Sequence, residues 1–79
     1  MPDYVPIACV EHERLEFAVL RRQRLLLRYR DEAGAEQEAA VLPLDVYTRD
    51  GAEWLKMRDR AGVETVIRLD RILAHDPAA

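Results

Sequence analysis

The stretch Arg24–Arg30, RLLLRYR, sets the fold class that this sequence predicts. Leu25, Leu27 and Tyr29 alternate with arginines, and this period of two is typical of a strand with one buried face. Leu26 is the one apolar residue on the outer face of that strand. The segment therefore predicts a half-buried β-strand.

The segment before this strand favours a helix. Residues 11–22 contain no glycine or proline and are rich in Leu, Glu, Arg and Ala, which are good helix formers. Leu15, Ala18 and Val19 form its apolar stripe. Pro2 and Pro6 disfavour helix before it, so residues 1–8 are expected to form an extended arm.

The segments after this strand favour further short strands. Residues 38–48, 53–58 and 64–69 are extended, with a short addition at 70–73, and glycine-containing turns at 31–37, 49–51 and 59–63 separate them. Pro43 predicts a strand end, an edge or a bulge. Asp50-Gly51 is a strong hairpin signal. Residues 74–79 are expected to form a frayed tail.

One helix followed by four or five short strands predicts an α+β, mostly β domain over residues 1–79, as a small sandwich or a partly open barrel. The inward phase of each element predicts the core. Its expected members are Leu15, Val19, Leu25, Leu27, Tyr29, Leu55, Met57, Ile67, Leu69 and Ile72.

Composition excludes several classes of protein. A chain of 79 residues with a net charge of -3 leaves little room for a deep substrate cleft and lacks the basic surface of a protein that lives on nucleic acid. No apolar run approaches the ~20 residues that span a bilayer. A single cysteine cannot form an internal disulfide, which fits a reducing compartment, so we expect a cytoplasmic protein. Because no apolar run is long enough, we expect no membrane partner.

Catalytic signals are weak. The sequence contains no serine, and its three glycines all fall in turns rather than in a phosphate-binding loop. Cys9 and His12 could form a thiol–imidazole pair, but a lone cysteine is more often a buried apolar residue. Cys9, His12 and His75 do not have the sequence spacing of a zinc site. We expect no enzyme activity, no cofactor and no metal.

Two charged patches and one aromatic residue leave alternatives open. Glu11, Glu13 and Glu16, with His12 beside them, form either an ordinary solvated helix face or an acidic patch for a basic partner. Trp54 is either an exposed interface anchor or a cover for the open edge of a barrel. Five arginines form either a nucleic-acid surface or a salt-bridged surface, and the nearby acids favour the second; they are Arg21, Arg22, Arg24, Arg28 and Arg30.

Several fragments together resemble the Rho-binding antiterminator family, Rof. They are YVPIAC at 4–9, the pair Leu15-Glu16, DVYTRDGAEWL at 45–55 and IRLDRI at 67–72. Each fragment alone is weak, but their order and spacing span nearly the whole chain. The family has an acidic residue directly after the cysteine, where this chain has Val10, so the acidic patch is weaker here.

The resemblance implies an Sm-like fold, in which the helix packs on a strongly bent antiparallel sheet or partly open barrel. It also implies binding to the N-terminal RNA-binding domain of the termination factor Rho, which would block RNA loading and inhibit Rho-dependent termination. The protein would compete with RNA rather than bind it, and DNA would not be a partner. The expected Rho-binding residues are Glu11, His12, Glu13, Glu16, Arg49 and Trp54.

Two other functions remain open at this stage. One is an Sm-like RNA-binding protein that uses the arginine-rich strand. The other is a ligand-sensing or purely structural module, against which the lack of room for a cavity-sized core counts.

Overall fold

A computed structural model of the chain describes residues 6–78, in which one helix is followed by five strands. A 3-10 turn at Leu69–Arg71 separates the last two strands. The elements are α1 Cys9–Arg21, β1 Leu25–Arg30, β2 Glu36–Arg49, β3 Ala52–Asp59, β4 Glu64–Arg68 and β5 Ile72–Pro77.

Helix α1 begins without a side-chain cap and ends in a left-handed residue. Ala8 stands at the N-cap, so no side chain accepts the first free N–H groups. At the other end Arg22 adopts a φ of 53°, and the N–H of Gln23 donates to the carbonyl of Ala18 at 2.9 Å. This is the hydrogen-bond pattern that commonly closes a helix. It turns the chain directly into β1.

The strands form one antiparallel sheet in the order β4-β3-β2-β1-β5. Of the strand end, edge or bulge expected at Pro43, the structure shows a bulge-like irregularity, because the register of β2 against β3 shifts between Pro43 and Asp45. The hairpin turn is also confirmed: Asp50 and Gly51 have φ values of 53° and 73°, as tight hairpin turns require. Strands β4 and β5 are the two edges, so the sheet is not closed.

The core lies between α1 and the sheet. Seven of the predicted core residues are buried, and Val19, Tyr29 and Ile72 are half-buried. The buried cluster consists of Leu15, Ala18, Leu25, Leu27, Val41, Leu55, Met57, Ile67 and Leu69. The α+β, mostly β class predicted from the sequence is therefore confirmed.

Two expectations about the ends of the chain need correction. Residues 74–77 are not a frayed tail, because they belong to β5 and pair with β1; the N–H of Ala78 also donates to the carbonyl of Arg24 at 2.8 Å. Cys9 is exposed at the helix start rather than buried. Most of the expected arm, residues 1–5, lies outside the described residues. No helix within residues 6–78 is long and apolar enough to cross a membrane.

Candidate ligand-binding cleft

A cleft of about 530 Å³ opens between the β1–β2 turn and strand β4. Strands β1 and β4 are not neighbours in the sheet, yet residues of both line this cleft. Its volume falls within the range of ~300–1,000 Å³ common for small-molecule sites. The lining residues are Tyr29, Arg30, Asp31, Glu32, Ala33, Trp54, Thr65, Val66, Ile67, Arg68 and Arg71.

Asp31 organises the turn on one side of the cleft. Its Oδ1 accepts hydrogen bonds from the backbone N–H groups of Ala33 and Ala35, each at 3.0 Å, and its Oδ2 accepts from the side-chain amide of Gln37 at 2.9 Å. The bond from Gln37 first, and then the bond from Ala35, lower the pKa of Asp31 below its ordinary value. Gly34 completes the turn with a φ of 82°. The turn is therefore held by an ionised carboxylate.

The β3–β4 turn repeats this construction away from the cleft. Asp59 Oδ1 accepts from the N–H groups of Ala61 and Val63, both at 2.9 Å, and Gly62 has a φ of 85°. In sequence the two turns are DEAGA at 31–35 and DRAGV at 59–63. Asp59 thus holds a turn of the same type as Asp31, but outside the cleft.

Two arginines tie the β1–β2 turn to its surroundings. Arg71 Nη1 donates to the carbonyl of Asp31 at 3.2 Å and so links the 3-10 turn to the opposite wall of the cleft. Arg30 Nη1 donates to the carbonyl of Gly34 at 3.4 Å, and its other nitrogen lies 3.8 Å from Glu36. Both guanidinium groups are thereby placed at the cleft.

A row of aromatic and basic side chains crosses the sheet beside the cleft. Tyr47, Trp54 and Arg68 stand directly opposite one another on β2, β3 and β4, so they share one face. The indole N–H of Trp54 donates to the carbonyl of Arg49 at 2.9 Å, which fixes the ring. Arg68 Nε lies 2.6 Å from Asp70 in a partly buried pair.

The charges of the cleft are mixed, with basic groups in excess among its lining residues. Arg30, Arg68 and Arg71 line the cleft together with Asp31 and Glu32 and with apolar side chains. Guanidinium groups bind phosphate and carboxylate well, and Trp54 offers a ring for stacking. The arrangement can therefore hold a small ligand that carries both an aromatic ring and a negative charge.

The acidic helix residues predicted as a site are mostly engaged with histidines. His75 Nε2 lies 2.6 Å from Glu11, which joins β5 to the helix. His12 contacts Glu16 through Nδ1 at 3.0 Å and Glu53 on β3 through Nε2 at 2.6 Å. These pairs fasten α1 to the sheet on two sides.

The other predicted site residues lie in two places. Glu13 is exposed on the helix. Arg49 is in the β2–β3 turn, and its carbonyl accepts the bond from Trp54. Of the six predicted site residues, only Trp54 lines the cleft.

A metal-binding cluster is not found within residues 6–78. No three residues among His, Cys, Asp and Glu come together there in a way that could hold a metal ion. Both ring nitrogens of His12 contact carboxylates, those of Glu16 and Glu53. The buried side-chain polar atoms in this part of the chain all have partners.

Sequence reasoning missed the cleft because its residues come from segments that are far apart in the sequence and from strands that are not neighbours in the sheet. Asp31 and Arg71 are forty positions apart and meet only when the sheet curls. One usable signal was present: an Asp followed three positions later by Gly, in two turns of the same type. It identifies a rigid turn, although it does not identify a ligand.

Comparison with known proteins gives a family and a fold. The WYL domain family model matches residues 11–77. A solved structure, proteasome accessory factor B/C (PafBC) of Arthrobacter aurescens, is similar with a TM-score of 0.75 and 21% identity. The similarity covers 95% of this chain and 12% of that chain, and at this identity it concerns the fold alone. No curated protein matches the chain.

These matches correct the resemblance to Rof. The family match includes the fragments 45–55 and 67–72, which carried much of that resemblance, and assigns them elsewhere. The predictions of Rho as partner, of inhibited termination and of competition with RNA are therefore wrong. The alternative of an Sm-like RNA-binding protein is also without support, and the exclusion of DNA as a partner is withdrawn.

Proposed function

This chain belongs to the WYL domain family, and from that premise we propose that it is a regulatory, ligand-sensing module of a transcription regulator. The ligand would bind in the cleft between the β1–β2 turn and β4. The chain spans 12% of PafBC, so the activity of any whole protein is part of the proposal. DNA would be a partner of that whole protein.

We propose a nucleotide-type ligand, either free or as part of a single DNA strand. The observation that carries this proposal is the row Tyr47–Trp54–Arg68 leading into a cleft that also holds Arg30 and Arg71. A base can stack on the indole while guanidinium groups bind the phosphate. The overall charge of -3 favours a short ligand over a long stretch of duplex, which needs an extended basic surface.

Three finer statements belong to the same proposal. We propose that the sheet has an Sm-like curvature, which the strand order and the cleft between β1 and β4 support. We propose that the protein acts by binding alone, which the engagement of His12 by Glu16 and Glu53 supports. A cytoplasmic location is proposed from the role in transcription and from the single cysteine.

Calorimetric titration of the purified chain tests the proposed ligand. One arm uses deoxynucleoside monophosphates and the other uses short single-stranded DNA, at low and at moderate salt. Stronger binding of the oligomer would identify the strand as the source, and equal binding per site would identify the free nucleotide. If neither binds, the proposal is overturned.

Variants of the cleft residues test whether the ligand binds in the cleft. Trp54→Ala should weaken binding roughly 5- to 150-fold, equivalent to ~1–3 kcal/mol for a lost stacking contact, whereas Trp54→Phe keeps a ring and should bind within a few-fold of wild type. Arg71→Gln should weaken binding and reduce its salt dependence. Arg60→Gln is the matched control, because Arg60 is exposed in the β3–β4 turn and does not line the cleft. Equal affinity for Trp54→Ala and wild type would remove the cleft from the proposal.

A further inference from the structure

Helix α1 carries a second apolar face opposite the one that it buries. Leu15 and Ala18 point into the core and are almost fully buried. Val10, Phe17 and Leu20 are 53%, 57% and 78% exposed, although they are large apolar residues. An ordinary surface helix has polar residues on its outer face. This outer stripe therefore needs a separate explanation.

The stripe has the spacing of a coiled-coil seam. Counting outward-facing positions gives Val10, Glu13, Phe17 and Leu20, separated by three, four and three residues. This is the a–d–a–d spacing of the heptad repeat, with Glu13 as the one polar member. The seam runs along nearly the whole helix, Cys9–Arg21.

The two flanks of the seam carry opposite charges. Arg14 and Arg21 each follow a d residue and therefore occupy position e. Glu16 precedes the a residue Phe17 and therefore occupies position g. Arg21 already lies over the ring of Phe17, with its guanidinium carbon 5.8 Å from the ring centre. One side of the stripe is thus basic and the other is acidic.

Charge complementarity selects one occupant and one orientation. In a parallel pair, position g of one helix meets position e of the other five residues later, which places Glu16 against Arg21 of the second copy, twice. In an antiparallel pair like flanks meet, so Arg14 would approach Arg21 and glutamates would approach each other. A symmetric dimer needs a surface that complements itself, and only the parallel arrangement of this helix does so.

We propose that two copies of this chain associate through a parallel, in-register pairing of their α1 helices. Phe17 and Leu20 form the apolar centre, and the Glu16–Arg21 pairs set the orientation. The association is weak, because a helix of about 20 Å buries less area than a standard stable interface. Glu13 in the seam weakens it further. The pairing uses the face opposite the sheet and is independent of the ligand cleft.

Sedimentation equilibrium of the whole chain over a range of concentrations tests the pairing. Wild type should show a reversible monomer–dimer equilibrium at high concentration. Glu13→Leu completes the seam and should lower the dimer dissociation constant at least about tenfold, whereas Leu20→Ser should raise it by a similar factor. Val63→Ser is the matched control, since Val63 is 56% exposed in the β3–β4 turn. Circular dichroism checks that each variant is folded.

Disulfide trapping tests the orientation. In a Cys9→Ala background, Leu20→Cys should form a cross-linked dimer on mild oxidation, because a parallel pair places the two Leu20 positions opposite each other. Val63→Cys in the same background measures random collision and should cross-link far more slowly. The proposal is overturned if wild type remains monomeric at the highest concentrations, if Glu13→Leu does not associate more tightly than wild type, or if Leu20→Cys cross-links no faster than Val63→Cys. In each of these cases the stripe would belong to a different occupant.

Discussion

Replacing Leu27 by alanine should remove much of the stability of this domain. Leu27 is 0% exposed on β1, which lies between β2 and β5 and contributes to the core under α1. The lost carbons correspond to about 2.4 kcal/mol of transfer free energy at ~0.8 kcal/mol per methylene. An unfilled cavity adds a further term, which brings the expected loss to about 4 kcal/mol, within the range of ~2–5 kcal/mol for a buried leucine.

The neighbouring leucine provides the control. Leu26 precedes Leu27 in the same strand but is 41% exposed on the opposite face. Scaling the same transfer term by its covered fraction gives about 1.4 kcal/mol, and no enclosed cavity forms. The two variants have the same composition and the same change in strand propensity. They therefore differ only in the environment from which the side chain is removed.

Urea and thermal unfolding, followed by circular dichroism and by Trp54 fluorescence, measure the difference. A loss of about 4 kcal/mol should lower the Tm by roughly 15–30 °C in a domain of this size, whose total stability is about 4–12 kcal/mol. Leu26→Ala should unfold much closer to wild type. Equal losses in the two variants would refute the assignment of Leu27 to the buried face. A reversed order would mean that the strand register is shifted by one residue.

Three further results are expected. Gly51→Ala should destabilise the domain by about 1 kcal/mol in urea unfolding, although a Cβ there would meet nothing within 4 Å, because the φ of 73° is unfavourable for alanine; an unchanged midpoint would contradict this. The pKa of Asp31 is lowered in the folded state, so its ionised carboxylate stabilises the fold. This stabilisation is fully present at a pH above the ordinary pKa of an aspartate and is lost as the pH falls below about 4. The stability of Asp31→Asn should therefore fall less steeply at acidic pH than the stability of wild type. An identical dependence on pH would contradict the role of the Asp31 carboxylate in holding the turn. Cys9 is exposed, so a thiol-alkylating reagent at pH 8 should label the native protein as fast as the urea-unfolded chain; protection of the native thiol would place Cys9 in contact with other groups.

The sequence predicted the local structure well, because each element carries a strong local signal. The alternation in β1, the Asp50-Gly51 turn and the bulge after Pro43 depend on neighbouring residues and on backbone geometry. Most of the last strand, after Leu73, was missed for the opposite reason. Residues 72–77 have no clear alternation and are a strand only because the edge of β1 offers unpaired backbone groups to them.

The cleft could not be predicted, because it depends on the curvature of the sheet. A chain of this length left little room for a cavity between helix and sheet, and that expectation weighed against a ligand-sensing module. The cleft lies elsewhere, between the β1–β2 turn and β4, and the bond from Arg71 to the carbonyl of Asp31 joins its two sides. Curvature arises from the summed twist of all strands and from bulges such as the one at Pro43. No short segment encodes it.

The mistaken resemblance to Rof shows which information short fragments contain. The fragment 45–55 is the end of β2, a two-residue turn and the start of β3, and the fragment 67–72 is the end of β4, a 3-10 turn and the start of β5. In the second fragment Ile67 and Leu69 are buried, so its pattern is dictated by packing. Hairpin turns and buried alternating residues of this kind occur in many small antiparallel sheets with a helix on one face. Such fragments therefore report the fold, and the function has to be argued from side chains that packing does not explain. In this chain the side chains from which we propose function are Trp54, Arg68 and Arg71 at the cleft, and Phe17 with Leu20 on the outer face of α1.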